Sequence, residues 1–247
     1  MYANAREVQR AVFKENIMAK KEISINQVVK KQIKKWQDQF AGQKAQAEAQ
    51  IPVITVSMEP GSGGSIIAQK IAERLEFDYF NRDIVEKIAK TSEIRGAVIN
   101  SLEKERLSGV KDFISSLMED QYIHPDTYLK HLLPVISTIA KHGRAVIVGR
   151  GANFILPAED IFSVRIIGPL KKRIREVALT HRVTTEQAKR RVIQRESRRE
   201  AFIRHTFHAD ICDPIHYDLT INTGKMSIDA AVEAIMGAVM AKLGESA

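Results

Sequence analysis

The sequence has a single cysteine, few aromatic residues and no long hydrophobic run. Cys212 is alone among 247 residues, so no disulfide can form within the chain, as is typical of proteins in a reducing compartment. No apolar run approaches the roughly 20 residues that cross a bilayer. The first residues also lack the apolar core of a secretory signal. We therefore expect a cytoplasmic protein without a membrane partner.

Positive charges exceed negative charges by eight, and they are concentrated in two segments. Residues 1–50 hold ten Lys or Arg against five Asp or Glu, and residues 171–205 hold twelve against four. Such segments bind nucleic acid, an acidic surface or a small phosphorylated substrate, or simply form a solvated helix face. Because neither segment interleaves its basic residues with aromatic side chains, nucleic acid ranks last among these partners.

Residues 1–50 are predicted to form a helical N-terminal extension of two helices. In the second helix, Ser24 suits the N-cap, and apolar residues follow at spacings of three and four, the period of an amphipathic helix. These apolar residues are Ile25, Val29, Ile33, Trp36 and Phe40. The stripe predicts that the extension docks on the core of the protein or on another subunit, so an oligomer could form through residues 1–50.

From residue 51 to the end, short β-branched runs alternate with helical stretches. The predicted strands are residues 51–57, 78–80, 145–149, 162–168 and 217–222, and the predicted helices are residues 65–76, 82–93, 97–120, 126–142, 170–180, 184–206 and 227–243. Near-continuous apolar runs are typical of strands buried on both faces. The alternation predicts an α/β domain over residues 51–247, built on a doubly wound parallel sheet of five strands.

A glycine-rich segment lies between the first predicted strand and the following helix. It consists of Gly61, Ser62, Gly63, Gly64 and Ser65. Glycines let backbone N–H groups approach an anion closely, and a helix N-terminus adds partial positive charge. We therefore predict that this segment, the phosphate loop, binds the phosphates of ATP and that the Ser65 hydroxyl ligates Mg²⁺.

The phosphate loop departs from the Walker A pattern G-x-x-x-x-G-K-[ST] at two positions. When Gly63 and Ser65 are aligned with the pattern, Met58 stands at the first glycine. Gly64 then stands at the lysine, which normally reaches the β- and γ-phosphates. A tight strand-to-helix turn that binds no ligand is the alternative interpretation of the glycines.

Three segments carry a resemblance to a known family. Residues 59–89 combine EPGSGGSIIAQKIAERL with FDYFNRDIVEKIA; residues 149–153 read GRGAN and are followed by Pro157 and a strand; residues 217–236 read YDLTINTGKMSIDAAVEAIM. In this order and spacing they resemble the phosphate loop, the G-R-D-x-G motif and the last strand and helix of the cytidylate kinase-like family of P-loop nucleoside monophosphate kinases. The resemblance covers residues 51–243.

The resemblance implies a nucleoside monophosphate kinase of the P-loop fold that uses ATP and Mg²⁺ and takes cytidylate as its acceptor. It also implies that Arg82, Asp83 and Arg150 bind the acceptor. Arg150 follows a predicted strand, where open α/β sheets bind ligands, and its guanidinium suits a monophosphate. Arg82 and Asp83 have an alternative interpretation, because Asn81 or Asp83 would also suit a helix N-cap.

The same resemblance implies a helical lid over about residues 180–212. Its arginines would close over the phosphates and stabilise the negative charge of the transferred group. Those that match the family best are Arg198, Arg199 and Arg204. Several arginines of this stretch have the simpler interpretation of solvating a helix.

Two further interpretations remain open. Gly151 stands where cytidylate kinases carry Asp, which leaves the base specificity undecided. Together with the missing lysine, it allows a non-catalytic nucleotide-binding or regulatory module on the kinase scaffold. A zinc site is a weaker alternative, since its residues match no closed zinc-binding pattern. These residues are His205, His208, Cys212 and His216.

Overall fold

The computed structural model describes residues 25, 27–36, 38, 53–102, 104–120 and 127–245. Ser24, Phe40 and the first predicted helix of the extension lie outside these residues. The first described element is a helix over residues 27–36, which we name α1.

Five parallel strands form one sheet. They are β1 (Val53–Met58), β2 (Asp78–Phe80), β3 (Ala145–Val148), β4 (Ile161–Ile167) and β5 (Leu219–Asn222). Their order across the sheet is β2-β3-β1-β4-β5, and each neighbouring pair is parallel. The predicted fold class is therefore confirmed, and each predicted strand is present with its ends within two residues of the prediction.

The strand order places a topological switch point between β1 and β4. The connection that leaves β1 leads to β2 at one edge, whereas the connection that leaves β4 leads to β5 at the other edge. Ligands of open α/β sheets bind outside the carboxyl ends of the strands at such a point. The two diverging loops start side by side, because the N–H of Glu59 donates to the carbonyl of Ile166 at 2.9 Å.

The remaining helices surround the sheet. They are α2 (Gly64–Leu75), α3 (Arg82–Lys90), α4 (Ser92–Ile99), α5 (Lys104–Asp120), α6 (Thr127–His142), α7 (Ala152–Ile155), α8 (Leu170–His181), α9 (Thr185–Phe207) and α10 (Ile228–Glu245). Where two helices were predicted over residues 82–120, the structure has three. Thr91 adopts an extended backbone between α3 and α4, and Arg95 Nη1 donates to the carbonyl of Ala89 at 2.6 Å, which closes the end of α3.

Each face of the sheet carries its own hydrophobic core, because successive side chains of a strand point to opposite faces. On one face, which we name the α2 face, side chains such as Ile54 and Val164 pack with α2 and α10. On the other, the α6 face, Val53 and Ile147 pack with α3, α6 and α7. Helix α2, which follows the phosphate loop, therefore lies on one face of the sheet. Helices α3 and α7, next to the residues predicted to bind the acceptor nucleotide, lie on the other face.

Helix α1 packs on the α6 face. Val29 and Trp36 are buried in the same hydrophobic cluster as Phe80, and the Trp36 ring stacks on the Phe80 ring with centroids 5.9 Å apart. Lys35 Nζ forms an ion pair with Asp78 at 2.6 Å. The amphipathic stripe of the extension thus covers apolar surface beside β2.

Helices α8 and α9 pack against each other through a small separate cluster. Its buried members are Ile174, Val177, Ala188 and Val192. The C-terminal end of α9 reaches the α6 face, where Phe202 and Phe207 pack against the core. None of the described helices is long and apolar enough to span a membrane.

Candidate active site

The phosphate loop folds tightly between β1 and α2. Gly61 and Gly63 both have φ of 82°, a left-handed conformation that glycine adopts without steric cost. A Cβ on Gly61 would also collide with the backbone carbonyl of Arg173. The N–H of Ser62 donates to the carbonyl of Glu59 at 3.1 Å, which closes the turn. Both local backbone geometry and close packing therefore require the first of these glycines.

The loop delivers the N-terminus of α2 to the switch point. Gly63 is the N-cap, and its carbonyl accepts from the N–H groups of Ile66 and Ile67. The first N–H groups of a helix have no partner within the helix and are available to an anion. Ser62 is buried, and its Oγ has no hydrogen-bond partner among the described residues. These groups together form a cradle suited to phosphate oxygens.

Ser65 lies in the first turn of α2, and its side chain is exposed. Its hydroxyl lies 3.4 Å from the Met58 sulfur, which is a weak partner. Mg²⁺ prefers oxygen ligands and usually keeps several waters while it binds substrate phosphates. A single accessible hydroxyl beside the phosphate cradle fits that preference.

The position of the Walker A lysine is closed by packing. A Cβ on Gly64 would lie 2.6 Å from Met58 Cβ and 2.8 Å from Met58 Sδ, whereas real Cβ contacts are rarely below 3 Å. A lysine there would require Met58 to move. The loop cannot simply regain the missing cation at this position.

Arg199 of α9 supplies a cation next to this position. Its Nη1 donates to the backbone carbonyl of Met58, at the end of β1. Burial, followed by the charges of neighbouring arginines, lowers the pKa of Arg199 to about 10, so the guanidinium is still charged at neutral pH. The neighbours, in order of effect, are Arg82, Arg165, Arg195 and Arg150. Arg199 therefore lies within electrostatic range of four other arginines, and it and Arg165 bind the adjacent residues Met58 and Ser57 near the carboxyl end of β1.

Arg165, which sequence reasoning did not single out, belongs to this group. It lies within β4, and only 6% of the residue is exposed. Its Nη1 donates to Ser57 Oγ at 2.8 Å, and its guanidinium lies 5.9 Å from the centre of the Tyr217 ring. A charged residue in the middle of an otherwise apolar strand was the sequence signal that could have revealed it.

The predicted acceptor residues meet around Glu86. This carboxylate of α3 pairs with Arg150, with Lys90 at 2.6 Å and with Arg82 at 3.6 Å. Burial alone would raise the pKa of Glu86, but the hydrogen bond from Lys90 and the charge of Arg150 lower it on balance. Three cations share one carboxylate, so the group keeps an excess of positive charge. The structure thus brings Arg82 and Arg150 together.

The start of α3 is capped by Asn81 rather than by Asp83. Asn81 Oδ1 accepts from the N–H of Ile84 at 3.0 Å, which satisfies one of the first donors of the helix. Asp83 lies in the first turn with an exposed side chain. The N-cap of α3 therefore uses neither the Arg82 nor the Asp83 side chain.

Arg173 links the phosphate loop to α9. It is 6% exposed, and its Nε lies 3.1 Å from Glu59 Oε2 and 2.8 Å from the Gly168 carbonyl, to which it donates. Its Nη1 forms an ion pair with Glu196 at 3.2 Å. Glu59 also accepts from the N–H of Gly168 at 2.8 Å. This network fixes the loop against the base of the predicted lid.

The side chain missing at Gly151 is replaced by packing from α9. Gly151 has φ of 68°, and a Cβ there would lie 2.8 Å from Phe207 Cε2 and 3.2 Å from Ile203 Cδ1. The Phe207 ring in turn stacks on Phe154, with centroids 5.5 Å apart. An Asp at position 151 would therefore displace an aromatic ring, so this departure from the family motif is coupled to the end of α9.

The other two arginines that were predicted for the lid lie on the surface. The side chains of Arg198 and Arg204 are both exposed, whereas Arg199 is partly buried against Met58. In the part of the chain that the structure describes, no three His, Cys, Asp or Glu side chains gather as a metal site would require. His216, from the alternative zinc set, packs edge-on against Phe154 at 5.1 Å, and Cys212 is exposed.

Comparison with known proteins gives a consistent result. The model of the cytidylate kinase-like family matches residues 53–225. The chain is similar to the cytidylate kinase of Pyrococcus horikoshii, with 26% identity over 187 residues that cover 76% of this chain and 88% of the relative. It is also similar to the cytidylate kinase of Methanocaldococcus jannaschii, with 22% identity over 190 residues, which cover 76% and 97% of the two chains.

Among solved structures, an uncharacterized protein from Eubacterium ventriosum is similar in fold. Its TM-score is 0.63 at 22% identity, and the match covers 77% of this chain and 99% of that chain. At this level of identity the likeness concerns the fold alone.

Proposed function

The chain belongs to the cytidylate kinase-like family, and from this premise we propose that it transfers the γ-phosphoryl group of ATP to a nucleoside monophosphate, with cytidylate as the acceptor. The family and the parallel sheet identify a nucleotide-binding kinase scaffold. The relatives that bear the name cytidylate kinase support the choice of acceptor.

The observation that carries this proposal is the gathering of arginines at the switch point. Arg165 and Arg199 form no ion pair with a carboxylate among the described residues. Charges withdrawn from water are costly unless they are paired. Binding of an anionic ligand would compensate the charge of these arginines and so stabilise them. Phosphoryl transfer brings several phosphate groups to one place, which would supply such an anion.

On the donor side, the phosphate loop would hold ATP. The residues concerned are Gly61, Ser62, Gly63, Gly64 and Ser65, with Ser65 as the protein ligand of Mg²⁺. When bound with the nucleotide, Mg²⁺ offsets the phosphate charge. The chain itself contributes the backbone donors and the dipole of α2. The buried Ser62 hydroxyl, which makes no hydrogen bond within the described part of the chain, supports this assignment.

On the acceptor side, Arg82, Asp83 and Arg150 would bind the nucleoside monophosphate. Arg150 is held by Glu86, yet its Nε has no hydrogen-bond partner among the described residues. A forked guanidinium with a spare donor suits a phosphate oxygen. These residues lie at the end of the α6 face, so the acceptor would approach the donor phosphates from that side of the sheet.

Between the two nucleotides, the lid would supply positive charge to the migrating group. Arg199 lies closest to the loop, through its bond to Met58, and Arg198 and Arg204 are proposed to turn inward on closure. Catalysis of this kind depends on positioning and on cationic stabilisation. In this proposal residues 51–247 form the catalytic domain with its lid at about residues 180–212, and residues 1–50 form the extension.

The test is a coupled assay of ADP release from ATP and Mg²⁺ with each common nucleoside monophosphate. We expect turnover that depends on the acceptor and is fastest with CMP. The Arg199→Ala protein, prepared in the same way, controls for contaminating kinases. If the wild-type protein binds ATP but no acceptor stimulates ADP release, the non-catalytic module replaces the kinase as the proposed function.

A further inference from the structure

Arg165 is buried in a place where buried charge is unusual. It lies within a central strand of the sheet, directly beside Ser57 in the parallel register of β1 and β4. Ser57 Oγ accepts from Arg165 Nη1 at 2.8 Å, and the Tyr217 ring lies 5.9 Å from the guanidinium carbon. Both neighbours are uncharged, so neither compensates the charge.

The contrast with Arg173 shows what Arg165 lacks. Both arginines are 6% exposed. Arg173 pairs with Glu59 and Glu196, whereas Arg165 forms no ion pair with any described carboxylate, and its buried Nε has no hydrogen-bond acceptor. Burying a charge without a partner costs several kcal/mol on the scale of real proteins. A buried nitrogen of each residue, Arg173 Nη1 and Arg165 Nε, makes no hydrogen bond among the described residues. The difference lies in charge: two carboxylates compensate Arg173, and no described carboxylate compensates Arg165.

The location of Arg165 indicates what would satisfy it. Its side chain projects to the α6 face, because it has the same alternation along β4 as Ile161, which packs there. Ser57 immediately precedes Met58, whose carbonyl binds Arg199. Arg165 is also among the charges that lower the pKa of Arg199. The spare donor of Arg165 thus lies next to the arginine cluster, on the side from which an acceptor would enter.

We infer that Arg165 is a further substrate-binding residue, whose guanidinium donates to a phosphoryl oxygen of the acceptor nucleotide. The inference rests on the proposed function. The phosphate supplies both the missing hydrogen-bond acceptor and the missing negative charge. Ser57 and Tyr217 hold the guanidinium in place before the ligand binds. A charged group that is already in position stabilises its ligand without the cost of ordering it.

The test compares Arg165→Met with wild type by calorimetric titration of CMP, and separately of ATP. Loss of a charge-assisted hydrogen bond should weaken CMP binding by roughly tenfold to a hundredfold, with a smaller change for ATP. Without ligand, the variant should unfold at the same temperature as wild type or higher, because removing an unpaired buried charge is often neutral or stabilising. Arg74→Met, at the exposed C-terminal end of α2 and paired with Glu233 of α10, is the matched control and should change neither property.

A second variant, Arg165→Lys, keeps the charge but loses the forked donors. It should also bind CMP severalfold more weakly. Wild-type CMP affinity in either folded variant would overturn the inference, as would an Arg165→Met protein that unfolds far below the wild-type temperature without ligand. If wild type itself binds neither ATP nor any nucleoside monophosphate, the proposed function fails with it. If wild type binds both but the Arg165 variants match it, only this inference fails.

Discussion

The side chain of Met58 occupies the space in which a side chain on Gly64 would begin, since an added Cβ would lie 2.6 Å from Met58 Cβ. Met58 stands where the Walker A pattern has its first glycine, and Gly64 stands where it has lysine. The two departures from the pattern are therefore sterically coupled. A chain with Met at one position needs Gly at the other.

This coupling predicts the behaviour of a lysine introduced at position 64. Gly64→Lys alone should destabilise the protein, because the new Cβ clashes with Met58. Met58→Gly in the same chain should relieve much of that loss. In a double-mutant cycle of urea unfolding, we expect a coupling energy of about 1 kcal/mol or more. Additive effects of the two substitutions would show that Met58 is not what excludes the lysine.

Arg199 is expected to be the lid residue on which turnover depends most. Arg199→Ala should lower kcat roughly a hundredfold or more, the effect of losing a preorganised electrostatic contact. ATP affinity should change much less, because the contact matters most in the transition state. Arg198→Ala, which removes the exposed neighbour on the same helix, is the comparison. Equal rates for wild type and both variants would contradict the lid assignment.

His142 should make the stability of the protein sensitive to acid. Burial, followed by the charge of Arg106, lowers the pKa of His142 to about 4. The unfolded chain takes up a proton below about pH 6.5, while the folded chain resists it, so stability is complete above that pH and is lost as pH falls toward 4. Between pH 7.5 and pH 5 this loss amounts to about 2 kcal/mol.

The measurement is the free energy of urea unfolding at both pH values for wild type and for His142→Phe. The variant should lose about 2 kcal/mol less than wild type over this interval. His181→Gln, a substitution at an exposed histidine, serves as the control. An identical pH dependence of wild type and His142→Phe would show that His142 does not titrate in this way.

Helix α1 is expected to stabilise the fold without taking part in nucleotide binding. Trp36→Ala should cost about 3–5 kcal/mol, the range for a large buried aromatic residue, whereas Val28→Ala, at a position 47% exposed, should cost little. Deleting residues 1–50 should lower stability and solubility but leave ATP affinity unchanged, since each predicted phosphate-binding residue lies beyond residue 51. A folded truncation that no longer binds ATP would contradict the proposed division of the chain.

The sequence was sufficient to predict the sheet and the glycine-rich turn between β1 and α2. Runs such as that of β4 were β-branched and nearly continuous, and the glycines around Ser62 stood between a strand and a helix, so local pattern and fold agreed. The boundary at Thr91 was missed, because a helical period continues on both sides of it and only the extended backbone at that residue breaks the helix. Boundaries of this kind depend on one residue rather than on a pattern.

The site was predicted only in part, because its closest relationships are tertiary. Arg150 and Arg82 were identified from the motifs, but their shared carboxylate, Glu86, comes from another turn of α3. Gly151 was recognised as a departure from the family motif, yet the reason for it, Phe207, lies more than 50 residues away in the chain. Contacts between distant segments leave no spacing signal in a single sequence.

Trp36, the only tryptophan of the chain, stacks face to face on the His142 imidazole, with ring centroids 4.0 Å apart and planes inclined by 5°. Ser101 Oγ donates to the Val98 carbonyl and lies 2.8 Å from His142 Nε2, so the Nε2 proton points to Ser101. A protonated imidazole quenches the excited state of an indole, whereas a neutral one does so far less. The fluorescence of Trp36 therefore reports two properties of the protein. It depends on whether α1 is packed on the α6 face, and it depends on whether His142 is protonated.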